Sequence, residues 1–351
     1  MDNIFFYIGT YTNKSSRGIY GVSLDPKMQE CSTPELLAEV VSPSYLTVNH
    51  SGTVLYAVSE PTDDSHGLIT AFAIQSKTGQ LSKINEVQAP GRGLCHVTLD
   101  SSDTYLFTVS YSDATVQVYQ LREDGSLGDM TCIKQHFGQG INPDRQEMAH
   151  AHATCLTPDE RYLCVCDLGI DKVVVYRFNK KFGKLEQSDE MTFSLPSGCG
   201  PRHMIFHPNG KNAYVVTELS SQVIVLSYNP DMGFTILQAA NALQDDKIQS
   251  AAAAIRIEPS GRYLYTSNRG DDSISQFRIS PETGELEHIS NTSTLGRNPR
   301  DFIFDITGSY LLCANQDTDN ILLYSVNPED GTLKPEKEIK DVSMPVCIVE
   351  Y

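Results

Sequence analysis

Apolar and polar positions along this chain fall into short blocks rather than helical stripes. Runs of four to eight Val-, Ile-, Leu- and Tyr-rich residues alternate with turns built from Pro, Asp, Ser and Gly, the spacing of β-strands joined by tight turns. One block recurs: an apolar strand, a turn, then a strand that ends on a polar residue. Its copies are "YLTVNHSGTVLYAVSE" (45–60), "HVTLDSSDTYLFTVSY" (96–111), "ATCLTPDERYLCVCDL" (153–168), "HMIFHPNGKNAYVVTE" (203–218), "AIRIEPSGRYLYTSNR" (254–269) and "DFIFDITGSYLLCANQ" (301–316). Their last residues, 60, 111, 168, 218, 269 and 316, recur at intervals of 47 to 57 positions.

A second hairpin follows each copy, as in "ATVQVYQLREDGSL", "DKVVVYRFNKKFGKL", "DSISQFRISPETGEL" and "DNILLYSVNPEDGTL", with the Asp-Gly and Thr-Gly turns that favour hairpins. Four strands per repeat of this length, with few helical stretches, predict propeller blades. Six blades account for about residues 42–344. At the N-terminus, "NIFFYIGTYT", "GIYGVSL" and "ELLAEVV" supply three more strands, and the C-terminal "PVCIVEY" supplies a first strand. Pairing the two termini in one blade removes the exposed edges. The expectation is an all-β, seven-bladed β-propeller of four-stranded antiparallel blades, a single domain over residues 1–351.

Composition narrows the classes of function. Apolar content of 40 % and charged content of 20 % suit a globular chain, and no apolar run approaches the ~20 residues of a membrane helix. The opening "MDNIFFYIGTYT" has no basic segment followed by a cleavage site, so no secretory signal and a cytoplasmic location are expected. Nine cysteines without regular pairing read as free thiols. Cys164 and Cys166, two apart on a strand, point the same way and read as core. The net charge of −17 argues against nucleic acid as a partner. It also means that any anion site must stand out as an island of Arg and His.

The repeat supplies a frame for finding that island. In a blade the innermost strand starts, and the second strand ends, at the same channel mouth. Arg202 lies eight residues before the turn glycine Gly210 and Glu218 eight after it, which puts them together. Round the ring, the first position carries Ser44, Cys95, His152, Arg202, Ala253, Arg300 and Val346, and the second Glu60, Tyr111, Leu168, Glu218, Arg269, Gln316 and Tyr11. Turn residues repeat, whereas these positions diverge into His, Arg and Glu. His207 belongs with Asp100, Asp305 and His50 as a turn residue. His152, Arg202, Glu218, Arg269 and Arg300 are the channel candidates; the alternative is an Arg–Glu network bracing adjacent blades. His150 and His152 offer two donors to a metal, but no third is evident, and no metal or cofactor is expected.

"GPRHMIFHPNG", "CHVTLD…YLFTVSY", "TPDERYLCVCDLGIDKVVVYRF" and "YIGTYT" resemble, along the whole chain, the family of propeller-type 6-phosphogluconolactonases and 3-carboxy-cis,cis-muconate lactonizing enzymes. The resemblance implies a catalytic His, Glu and two Arg, which fall on His152, Glu218, Arg202 and Arg269. Beside it, Arg269 and Arg300 are candidates for binding phosphate or carboxylate, and Arg300, His150 and His203 are the substrate-binding candidates. It implies hydrolysis of a small anionic lactone, 6-phosphogluconolactone of the pentose phosphate pathway first. Another sugar or muconate lactone, and a noncatalytic binding propeller, are the alternatives. Either a neutral His152 or a Glu218 of raised pKa is a candidate base. There is no Gly-x-Ser-x-Gly elbow and no phosphate-binding loop.

Overall fold

Seven antiparallel sheets stand in a ring in the computed structural model, which describes residues 3–61, 65–245 and 247–351. Six follow one another along the chain, over 43–88, 94–135, 151–194, 201–241, 251–293 and 299–339, each wound outward from its first strand. The seventh takes its innermost strand, Pro345–Glu350, from the C-terminus, and Ile4–Thr10, Gly18–Asp25, Glu30–Cys31 and Glu35–Glu39 from the N-terminus. Tyr7 faces Val349, Ile8 faces Ile348, and Tyr351 N donates to Phe5 O at 2.8 Å. The seven-bladed ring closed by both termini is as the sequence predicts.

The core is divided into seven parts, each between two neighbouring blades. Leu163 and Val165 pack on Phe107 and Val118 of the preceding blade. Cys164 and Cys166, pointing the other way, pack on Val215 and Ile224 of the following blade. Second strands such as Val54–Ser59 and Tyr162–Asp167 are accordingly buried at every position, because both faces of the sheet meet a neighbour. All nine cysteines are free, and burial raises the thiol pKa of Cys164 and Cys166.

Polar latches supplement this packing. Tyr56 Oη donates to Gly125 O at 2.7 Å and Tyr214 Oη to Gly284 O at 2.8 Å. Each acceptor is the turn glycine of the next blade's outer hairpin, at positive φ of 78° and 77°, where glycine is favoured. His207 behaves as a turn residue: its Nδ1 accepts from Asn209 N, and its Nε2 donates to Gly261 O of the next blade at 2.9 Å.

Ring closure is expected to depend on pH through Glu350. Burial, then Asp305, raises its carboxyl from 4.5 to about 7. A raised acid pKa means that the folded state holds the proton more tightly than the unfolded chain. Its stabilising contribution is present below pH ~4.5 and is lost as pH rises through about 7. Thermal unfolding of the wild type should therefore weaken across this window relative to Glu350→Gln, whose midpoint should change less. Parallel profiles would remove Glu350 from the closure. Truncation after Met344 should lower the midpoint at every pH by opening the ring.

Candidate functional site

In every blade the innermost strand loses ladder register near its start. The skips fall between Pro43 and Tyr45, Leu94 and His96, Ala151 and Ala153, Pro201 and His203, Ala252 and Ile255, Pro299 and Asp301, and Pro345 and Cys347. The residues left without a ladder partner are Ser44, Cys95, His152, Arg202, Ala253, Arg300 and Val346, the strand-start frame of the sequence, together with Ala254, which that frame does not include. A β-bulge re-aims the side chain it expels. The opposing frame holds as well: Glu218 N donates to Gly200 O, Glu60 N to Ser42 O and Tyr11 N to Met344 O.

The five channel candidates meet at one mouth. Arg202 Nε donates to Glu218 Oε2 at 3.1 Å, and Arg269 Nη2 lies 2.7 Å from the same oxygen. Arg202 Nη1 also donates to Ala253 O of the next blade and to His203 Nε2, at 2.8 and 3.1 Å. Arg300 Nη2 donates to Tyr11 Oη at 2.8 Å, and Tyr11 Oη to Glu60 Oε2 at 2.6 Å. The His152 ring lies 5.3 Å from that of His203 and 5.8 Å from that of Tyr111. His152, Arg202 and Glu218 are only 3–4 % exposed.

Burial at this density sets the protonation states. Burial, then the positive charge of Arg202, pulls His152 well below its ordinary pKa and leaves it neutral. Burial raises the Glu218 carboxyl, but Arg269, Arg202 and their neighbours outweigh it and hold the group far below the usual carboxylate range. The raised-pKa base considered for Glu218 is thereby corrected: this carboxylate is a counter-ion. Burial and then Arg269 and Arg300 bring Arg202 down to about 10, still charged at neutral pH.

Two of the histidines assigned to substrate binding are engaged within the protein. His150 stacks on Tyr111 at 4.3 Å, with Nδ1 on Tyr111 O at 3.0 Å and Nε2 on Glu147 Oε1 at 3.1 Å, so both nitrogens are engaged. His203 gives Nε2 to Arg202 and packs its ring on His96 and Tyr45. Their hydrogen bonds support Tyr111 and Arg202. In contrast, His152 Nδ1 is buried with no hydrogen-bond partner among the described residues. Among those residues, no three His, Cys, Asp or Glu side chains are grouped to hold a metal ion.

Sequence reasoning missed Arg145, whose Nη2 lies 2.5 Å from Glu218 Oε1 and whose guanidinium also bonds Tyr111. It sits on the long connection before the third blade, outside the repeat, where counting from turns has no reference. Four arginines thus face the two carboxylates they engage, directly or through Tyr11, and two positive charges remain uncompensated in a chain of net charge −17.

The channel mouth of this all-β, seven-bladed propeller thus concentrates arginines around a neutral histidine. The family model described as "Lactonase, 7-bladed beta-propeller" matches residues 5–350. The chain belongs to this lactonase family. It is 39 % identical over 303 residues to the 6-phosphogluconolactonase of Bacillus subtilis (strain 168), across 86 % of this chain and 85 % of that one. It is 32 % identical over 306 residues to the 6-phosphogluconolactonase of Formosa agariphila, across 85 % and 86 % of the two chains. Among solved structures, the Pseudomonas aeruginosa periplasmic gluconolactonase superposes with a TM-score of 0.94 at 31 % identity, over 99 % of each chain. No helix among the described residues is long and apolar enough to cross a membrane.

Glu218→Gln should test the counter-ion role. It leaves three arginines around a neutral amide, and breaking buried pairs of this kind costs about 3–5 kcal/mol. The unfolding midpoint should fall, and millimolar phosphate should recover part of the loss. An unchanged midpoint without anion would contradict the role.

Proposed function

We propose that this chain hydrolyses 6-phosphogluconolactone to 6-phosphogluconate. The observation carrying the reading is the pairing of a neutral, buried His152, its Nδ1 unpartnered, with arginines that hold more positive charge than their carboxylates cancel. Two relatives covering most of the chain bear that enzyme's name.

In the proposed mechanism the lactone carbonyl lies against Arg202 and Arg269. A water molecule attacks the carbonyl carbon while an unprotonated His152 nitrogen takes its proton. Negative charge develops on the carbonyl oxygen, where charge-assisted donors in a dry site are strongest. The ring C–O bond then breaks, and the ring oxygen recovers the proton from His152 as the new hydroxyl. Glu218 fixes the two guanidinium groups so that they need not reorganise as charge appears. A histidine of depressed pKa is a weak base; an incoming phosphate raises that pKa, and a sugar lactone, which opens slowly in water unaided, asks little of it. Arg300, held by Tyr11 and Glu60, is a further donor to the substrate in this mechanism.

The neighbour called a gluconolactonase favours a second reading, an unphosphorylated sugar lactone. Steady-state kinetics on 6-phosphogluconolactone and gluconolactone, corrected for spontaneous opening, separate the two by the ratio of kcat/KM. Hydrolysis of neither would overturn both and leave the binding propeller.

Two outcomes follow from the site. Arg202→Ala would strip a buried partner from Glu218, so Arg202→Lys is the cleaner probe: charge stays and the forked donors go. Its kcat should fall ~10²-fold, the scale for one oxyanion donor, with KM little changed, while His207→Ala keeps near-normal turnover. Near-normal kcat in Arg202→Lys would end the assignment. Second, kcat/KM for gluconolactone, which carries no titrating phosphate, should cross pH 6.5 without an imidazole inflection, because burial and Arg202 keep His152 neutral well below that pH; a full titration step there would point to a different base.

A further inference from the structure

The motif Asp167-Leu168-Gly169-Ile170-Asp171 contributes no side chain to the mouth, although it begins on the last residue of a second strand. It clamps a neighbouring segment instead. Residues 136–150 cross from the second blade to the third as a strap over the mouth, and both of its ends are tied to Asp167. His136 Nδ1 donates to Asp167 Oδ2 at 2.6 Å, and His150 N donates to Asp167 Oδ1 at 2.8 Å. The far nitrogen of His136 lies 2.9 Å from Tyr176 Oη, and the group is buried.

The middle of the strap is tied to Asp171. Gln146, fully buried, donates through Nε2 to Asp171 Oδ1 and Leu168 O, both at 2.8 Å, and accepts from Asn142 N at 3.1 Å. Asp171 also accepts from Gly198 N and Gly200 N, so one carboxylate registers the strap against the loop leading into Arg202. Gly169 completes the clamp: a Cβ there would lie 1.9 Å from Met148 O, so the strap lies on bare backbone.

The residue beside this buried glutamine is Arg145. Its side chain is 41 % exposed, against 15 % for Arg269 and 4 % for Arg202. The guanidinium is anchored inwardly on Glu218 Oε1 and on Tyr111 and faces solvent otherwise. A flexible surface arginine would lose much side-chain entropy on meeting an anion; this one is already held.

We propose that Arg145 is the specificity-determining residue of the site: it receives the substituent of the lactone that projects out of the channel, and it selects a phosphorylated lactone over the unphosphorylated one. This rests on the lactonase reading. In that reading Arg202 and Arg269, braced on Glu218 and on the carbonyls of Ala251, Ala252 and Ala253, serve the lactone carbonyl, whereas Arg145, more exposed than either, is left to meet the end of the lactone remote from its carbonyl. A planar fork of N–H donors suits a terminal phosphate. The strap, with its Asp167–Asp171 clamp, holds the guanidinium in place.

The test compares wild type, Arg145→Gln, Arg145→Lys and Gln146→Ala on 6-phosphogluconolactone and gluconolactone, with inorganic phosphate as competitive inhibitor. Arg145→Gln should lower kcat/KM for the phosphorylated lactone ~10- to 100-fold, the scale of one charged hydrogen bond, mainly through KM. It should change gluconolactone hydrolysis by less than about threefold, and it should weaken inhibition by phosphate. Arg145→Lys should recover part of the preference. Gln146→Ala, which displaces the arginine without removing it, should show the same selective loss, with unfolding midpoints confirming folded protein. Equal losses on both substrates would overturn the proposal and make Arg145 a support for Glu218. A wild type that hydrolyses both lactones without preference would overturn it while sparing the lactonase reading; one that hydrolyses neither would remove both.

Discussion

Seven sheets standing radially round an axis send their side chains into the neighbouring blades, not into the channel. The packing shows it: residues of each inner strand belong to one inter-blade core or the next, as Leu46 and Met204 do. A propeller with regular ladders to its mouth would present little but backbone there. The bulge on every innermost strand changes this by expelling one residue from the alternation. In six blades a single residue is released, and in one blade two alanines. The fold requires the ring and the cores; the bulge decides which side chain each blade shows to the channel. His152, Arg202 and Arg300 are three outcomes of one backbone device, and Ser44, Cys95, Ala253 and Val346 are four others.

Burying that much charge needs internal partners. Arg202 is nearly inaccessible, and an isolated guanidinium so placed would be very costly. Its donors are used on Glu218, on a carbonyl of the next blade and on a neutral histidine. Glu218 in turn accepts from three arginines belonging to three separate parts of the chain. Such a network adds little net stability compared with apolar packing. What it gives is orientation, with each guanidinium fixed before any ligand arrives. The inner bonds of this network brace adjacent blades, one of the two readings the sequence leaves open, and its remaining positive charge faces the mouth.

The architecture was legible because turns repeat. Asp, Asn and Gly turns fix hairpin register locally, so counting eight residues either way from Gly210 reaches Arg202 and Glu218 without any knowledge of the ring. The same counting finds one bulged residue in every blade and misses only Ala254, although nothing in the residues announces a bulge. It fails where the chain leaves the repeat. Arg145 lies in a strap with no turn of reference, held by aspartates whose partners are distant in sequence. Leu168 occupies a frame position yet is apolar and buried, because the strap roofs that sector and Gln146 takes the Leu168 carbonyl. The repeat frame selects His152, while His150 and His203 enter only as substrate-binding candidates. Which ring nitrogen is free depends on contacts with Tyr111, Glu147 and Arg202 that no periodicity records.

Charge balance also bears on turnover if the site hydrolyses a lactone. Ring opening creates a carboxylate, so the product leaves with one more negative charge than the substrate carried in. A mouth with a large positive surplus would hold product longer than substrate and make release slow. Here Glu60 and Glu218 cancel half of the charge of the four arginines, and the rest of the chain is strongly acidic, at −17 overall. Screening confines the surplus to within about 8–10 Å at ordinary ionic strength. An anion is therefore attracted only when it is nearly in place, and a product that has slipped past the strap meets a repelling surface. The acidity that at first argues against an anionic ligand has a use in this arrangement: it limits how far the arginines reach, and so favours departure of the more highly charged product.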